Sequence, residues 1–300
     1  MKLASLRDGS RDGQLIVVSR DLSLAHYASG VAGRLQQVLD DWNFLSPQLE
    51  EISQTLNHGK ARHAFAFDPA MCLAPLPRAF QHAVAHSDDP TALVQLPGDA
   101  LHGAHDAVAA AAAAAGGEPI ASSAGLAVIT GDVALGSTPE AALEGIRLLM
   151  LASDAGGSRA FGPVAVTPDE LGGAWHGGHL HLPMEAACDG RRTSIASDAG
   201  RAHFGALIAS LCRTRAVRAG SIVGWCTSGG AFRERLRLEV KHSDGASIFG
   251  GIDRRIDLSS TAPHLAQLLE QVLEPAPAFA LPPELALPPE LAPAAAADHD

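Results

Sequence analysis

The segment Ile120-Ala121-Ser122-Ser123-Ala124-Gly125-Leu126-Ala127-Val128-Ile129-Thr130-Gly131-Asp132, with Ile146-Arg147-Leu148-Leu149-Met150-Leu151-Ala152-Ser153-Asp154 after it, decides the fold of this chain. Leu126 to Thr130 reads as a buried strand, and Gly131-Asp132 as the turn that ends it. Thr138-Pro139-Glu140 offers a capping hydroxyl, a proline at the first helical position and an acid for the first turn, so a short helix opens there and Gly145 closes it. From Ile146 to Ser153 only Arg147 is charged, which predicts a strand covered on both faces that ends at the carboxylate of Asp154.

These residues resemble the fumarylacetoacetate hydrolase family, whose bacterial members carry a stretch very like Val128-Ile129-Thr130-Gly131-Asp132-Val133, then Thr138-Pro139-Glu140 and Arg147-Leu148-Leu149-Met150-Leu151-Ala152. The resemblance implies an α/β mixed (α+β) fold, a β-rich roll with a small N-terminal α/β domain. It also implies a site. In the family the strand before the turn carries two metal-binding glutamates as Glu-x-Glu, and a metal-binding aspartate follows the second strand. The glutamate positions fall here on Ser123 and Gly125, and the aspartate is kept as Asp154. The family's substrate-facing lysine is lost with a shortened segment, and Gly156 or Gly157 stands about there. Ser221 to Gly224 leads into the position that meets the substrate carboxylate, where Thr227 keeps the threonine while Trp225 and Cys226 replace small residues.

Upstream, Gln14 to Ser19 predicts an early strand. Val31, Leu35, Val38, Leu39 and Trp42 form one helical stripe, and Ser46-Pro47 restarts a second helix with Leu49, Ile52 and Leu56 inward. Residues 1–81 resemble the N-terminal domain of one bacterial branch of the family. Residues 82–117 read as a divergent, alanine-rich linker or marginal surface helix, 118–258 as the hydrolase-like domain, and 259–300 as a C-terminal segment. From residue 275 the chain is rich in proline and alanine, and the repeat Ala-Leu-Pro-Pro-Glu-Leu at 280–285 and 286–291 denies helix and sheet their donors and predicts a disordered tail.

In the family the region of residues 82–117 includes a metal-binding aspartate and the catalytic histidine, so Asp99, His102, His105 and Asp106 are candidate remnants. Plain surface residues in a decayed loop are the alternative. His176, His179 and His181 are a further set. The last two share a strand face at a spacing that can ligate a metal, as a solvent-facing hairpin would also produce. Phe204, Leu207, Ile208 and Leu211 predict an amphipathic helix, Leu236 to Val240 a strand, and Asp244-Gly245 a hairpin turn with Ser247 to Asp253 as the partner strand.

With 47% hydrophobic residues and 4% aromatic, the core must be mainly aliphatic. A net charge of −11 argues against nucleic acid, because phosphate binding needs clustered Lys and Arg. Cys72, Cys188, Cys212 and Cys226 lack the spacing of a zinc knuckle or a disulfide framework. No apolar run is long enough for a signal or a membrane span, so a cytoplasmic protein is expected. The resemblance implies Mg²⁺ or Ca²⁺, a homodimer, and cleavage of a carbon-carbon bond in a β-diketo acid. Three readings follow: a catalytically degenerate member that binds metal weakly, an active hydrolase with a site rebuilt from Asp99, Asp132, Asp154 and nearby histidines, or a binding protein on the same scaffold.

Overall fold

The computed structural model describes residues 1–86, 89–109, 118–195 and 203–257. The proline-rich tail and most of the alanine-rich run lie outside them.

The chain opens with β1 (Lys2–Leu6), β2 (Gln14–Val18), β3 (Leu24–Tyr27), α1 (Leu35–Asp40), α2 (Trp42–Asn57) and β4 (Phe65–Ala66). There follow β5 (Gln81–His86), β6 (Asp89–Leu96), β7 (Val108–Ala109), β8 (Ile120–Thr130), α3 (Pro139–Leu143), β9 (Ile146–Ala155), β10 (Ser158–Phe161) and β11 (Ala165–Val166). Last come β12 (Trp175–His176), β13 (His179–Leu180), β14 (Met184–Cys188), β15 (Arg191–Ile195), α4 (Phe204–Leu211), β16 (Ser221–Phe232), β17 (Arg235–Val240) and β18 (Ile252–Asp257). The main sheet runs β4-β3-β2-β1-β11-β9-β8-β16-β5-β6, with β10 folded back on β9. A second sheet runs β15-β14-β17-β18-β7.

The near-absence of charge in β8 and β9 has a direct cause. Leu148 and Met150 of β9 enter one core while Leu149 and Leu151 enter the other, and Ala127 and Ile129 of β8 alternate with Leu126 and Val128 in the same way. One core closes against Leu35, Val38 and Leu39 of α1 and Leu49 of α2. The other closes against Leu236 and Leu238 of β17 and Phe204, Leu207 and Ile208 of α4. Each such aliphatic side chain contributes roughly 1.5–3 kcal/mol by leaving water, so the central strands anchor the layers on both sides. The predicted cap is present: Thr138 Oγ1 accepts the Ala141 N–H at 3.3 Å, with Pro139 beginning α3.

Three local expectations differ from the structure. The second helix begins at Trp42, not at Ser46-Pro47, and Pro47 sits inside it. The Phe44 and Leu45 N–H groups already bond the Asp41 carbonyl, so the first turn forms before the proline. The stretch expected as a linker supplies β5 and β6, and β5 pairs in parallel with β16. Its buried Ala83, Val84 and Ala85 carry too little polar contrast to show a strand period. Beyond the Asp244-Gly245 turn, Ser247 meets Lys241 by a single bridge, and the strand paired with β17 starts only at Ile252.

Arg254 of β18 is completely buried. Its Nε donates to the Asp106 carbonyl at 2.8 Å, Nη1 to the Ser158 carbonyl at 2.8 Å, and Nη2 to the Ala107 carbonyl at 3.3 Å and the Ser158 hydroxyl at 2.7 Å. Burial pulls its pKa down to about 10, which still leaves it charged at neutral pH. One cation thus ties β18 to β10 and to the loop before β7.

Candidate functional site

Strand register brings the candidate residues of β8 and β9 together. Ser123 is opposite Asp154, and Asp154 is opposite Arg159 of β10. The β9–β10 turn is Gly156-Gly157, with φ of 58° and 82°, left-handed values that glycine adopts without strain and that a two-residue hairpin requires. It fixes Asp154, whose Oδ1 accepts the Gly157 N–H at 2.9 Å and whose Oδ2 lies 3.2 Å from Arg159 Nε. The Asp154 carboxylate is therefore engaged by a cation of its own protein.

Gly125 stands between Ala152 of β9 and Cys226 of β16. A Cβ there would lie 1.9 Å from the Trp225 carbonyl oxygen and 2.7 Å from the Cys226 Cα. Both obstacles are backbone, so no rotamer change relieves them.

Around these residues lies a cavity of about 40 Å³, lined by His82, Val84 and His86 of β5, Ser123, Asp154, Arg159, Phe161 and Cys226. A water's share of the liquid is about 30 Å³, so this is room for about one water. His82 is 2% exposed and its Nδ1 has no hydrogen-bond partner. Burial, with help from the Arg159 charge, drops its pKa to about 4, while a hydrogen bond to Pro97 and the Asp154 charge oppose the fall. At the β16 side Cys226 Sγ lies 3.2 Å from His86 Nδ1. Burial pushes the Cys226 thiol upward, and a hydrogen bond with Ser123 partly offsets this.

The other sequence candidates do not join this group. His102 sits on a bridge to Ala160, its Nδ1 3.8 Å from Asp106 Oδ2, and burial lowers its pKa. Asp106 pairs with Arg7 and accepts the Gly103 N–H. His105 lies instead in a charged concavity of the second sheet, with Arg235 and Asp253. Asp99 is exposed, and Asp132 accepts the Ala219 N–H at 3.1 Å from its turn. Thr227 is opposite Ala124 and does not line the cavity. His176 and His179 face each other across the β12–β13 hairpin, with the rings of His176 and His179 6.4 Å and 6.2 Å from that of His181. Among the described residues no group of three or more His, Cys, Asp or Glu is arranged to hold a metal ion. A hard cation needs several oxygen ligands, and Ser123, Gly125 and Asp154 offer one hydroxyl, no side chain and one ion-paired carboxylate.

Sequence reading missed His82, His86 and Cys226 as neighbours. The contact depends on parallel pairing between strands far apart in the chain, which no local spacing encodes.

The strand order, with α1 and α2 in one core and the second sheet and α4 in the other, defines a strand-rich mixed α/β protein. Residues 1–78 match the family described as Fumarylacetoacetase N-terminal domain 2. Maleylpyruvate hydrolase from Sphingobium sp. SYK-6 superposes with a TM-score of 0.64 at 17% identity, covering 85% of this chain and 99% of that one. The same enzyme in complex with manganese (II) ion and pyruvate gives the same score and identity, over 85% and 98%. Fumarylacetoacetate hydrolase from the psychrophile Exiguobacterium antarcticum gives 0.60 at 16% identity, over 86% and 99%. No curated protein matches the sequence. The chain has the fold of the fumarylacetoacetate hydrolase family and carries that family's N-terminal domain. No helix among the described residues is long and apolar enough to cross a membrane.

Proposed function

We propose that this chain is a catalytically degenerate member of the fumarylacetoacetate hydrolase scaffold, without metal-dependent hydrolysis of β-diketo acids. The observation that carries the reading is Gly125: the position lacks a carboxylate, and the Trp225 carbonyl leaves no space for a side chain. The ion pair holding Asp154 and the small cavity point the same way. Stabilising a developing enolate by preorganised charge is commonly worth about 3 kcal/mol or more per group, or roughly a hundredfold in rate. That stabilisation would come from a bound cation, and on this reading two of the carboxylates that would hold it are replaced. A site rebuilt from Asp99, Asp132, Asp154, His102 and His105 finds little support, since these side chains serve separate loops and faces. The same reading takes the protein as a homodimer, on the resemblance alone.

The test is loss of diketone absorbance of fumarylpyruvate and acetylpyruvate with and without Mg²⁺ or Mn²⁺, beside calorimetric titration of each metal. No metal-dependent turnover and no micromolar binding are expected. Turnover abolished by Asp154→Asn would overturn the proposal and restore Asp154 as a ligand.

A further inference from the structure

Among the described residues the two large sheets end in four edges, and three of them are blunted. β4 and β7 are two residues long, and β15 opens with the exposed Arg191 and Arg192. β6 is different. It is eight residues long, it closes the main sheet beyond β5, and Thr91-Ala92-Leu93-Val94-Gln95-Leu96-Pro97-Gly98 carries no charge. A terminal strand presents backbone N–H and C=O groups on its outer side, and charges or a short length are the usual means of turning another strand away. Pro90 and Pro97 lack an N–H and bound the segment that can pair to Thr91–Leu96.

Apolar side chains line the same edge. Val94 is 48% exposed and Phe80 71%. Val94 is opposite Val84, Leu96 is opposite His82, and the Ala79 N–H bonds the Gly98 carbonyl at 2.7 Å, so strand alternation carries Phe80, Leu96 and Val94 onto one face there. The occupant follows from charge. At −11 per chain, two copies repel through most of their surfaces, and an uncharged strand is where they approach at least cost. Antiparallel pairing of a strand with itself sets its side chains beside others from the same segment, so it is free of like-charge contacts only when that segment is uncharged, as Thr91 to Leu96 are.

We propose that two copies of this chain join through β6, antiparallel about a twofold axis near Val94, so that their main sheets continue into one another. The proposal rests on the homodimer reading given above and names its interface. Main-chain hydrogen bonds between the two strands give the contact its direction and register, and Val94 and Phe80 leave water as it forms.

The test is analytical ultracentrifugation of the full chain over a concentration series, beside Val94→Lys and Gln95→Lys, both at exposed positions. The natural chain is expected to dimerise. Either lysine, set against its own copy across the axis, is expected to raise the dissociation constant by about a hundredfold or more with an unchanged circular-dichroism spectrum. Amide hydrogen exchange needs no variant: in the natural chain, exchange at Thr91–Leu96 is expected to quicken on dilution into the monomer range. A dimer that persists in the folded variants, or whose dissociation leaves exchange at β6 unchanged, would overturn this interface and leave the homodimer reading standing. A natural chain that stays monomeric at every concentration would overturn both.

Discussion

His82 makes the fold sensitive to acid by an amount that can be worked out. The imidazole is buried, and its pKa falls from 6.5 to about 4 in the folded state. Between these values the unfolded chain holds a proton that the folded chain does not, so stability falls as the pH is lowered through this window. At about 1.4 kcal/mol per tenfold change in proton affinity, the full loss is about 3 kcal/mol, of which about 2 kcal/mol is spent between about pH 7 and about pH 4.5. Carboxylates also titrate in acid, so the informative quantity is the difference between the natural chain and His82→Gln. Urea unfolding at the two pH values should show the variant losing about 2 kcal/mol less than the natural chain. If the two proteins lose stability in parallel, His82 is hydrated or charged in the fold, and the account of the cavity fails with it.

Two further predictions concern packing. Gly125→Ala should cost about 3 kcal/mol or more, because its Cβ meets backbone on β16, whereas Gly224→Ala meets only a Val84 methyl at 3.3 Å and should cost about 1 kcal/mol; equal urea midpoints for the two variants would contradict the steric reading. Arg254→Met should cost about 3–5 kcal/mol by orphaning the Asp106, Ala107 and Ser158 carbonyls together, and a loss below about 1 kcal/mol would show that water takes over these bonds.

Local chemistry was legible where it was self-contained. The Thr138-Pro139 cap needs only four consecutive residues, and the two-sided burial of β9 is written in its lack of charge. Ser123, Gly125 and Asp154 were grouped through the resemblance, and the antiparallel register of β8 and β9 sets Ser123 opposite Asp154. Pro47 misled because a proline close to a helix start looks the same as one at the start itself. His86 and Cys226 were illegible for a different reason. Parallel pairing of β5 with β16 is a property of the assembled sheet, and Gln81 to His86 has neither the length nor the alternation to announce it.

The close approach of the Trp225 carbonyl to Gly125 makes the order of mutations matter. A glutamate introduced at position 125 meets a closed door until β16 has shifted, and no such shift gains anything while position 125 is empty. Each change alone is unfavourable, so a side chain at position 125 and a shift of β16 have to come together, and the backbone of Trp225 and Cys226 sets that requirement.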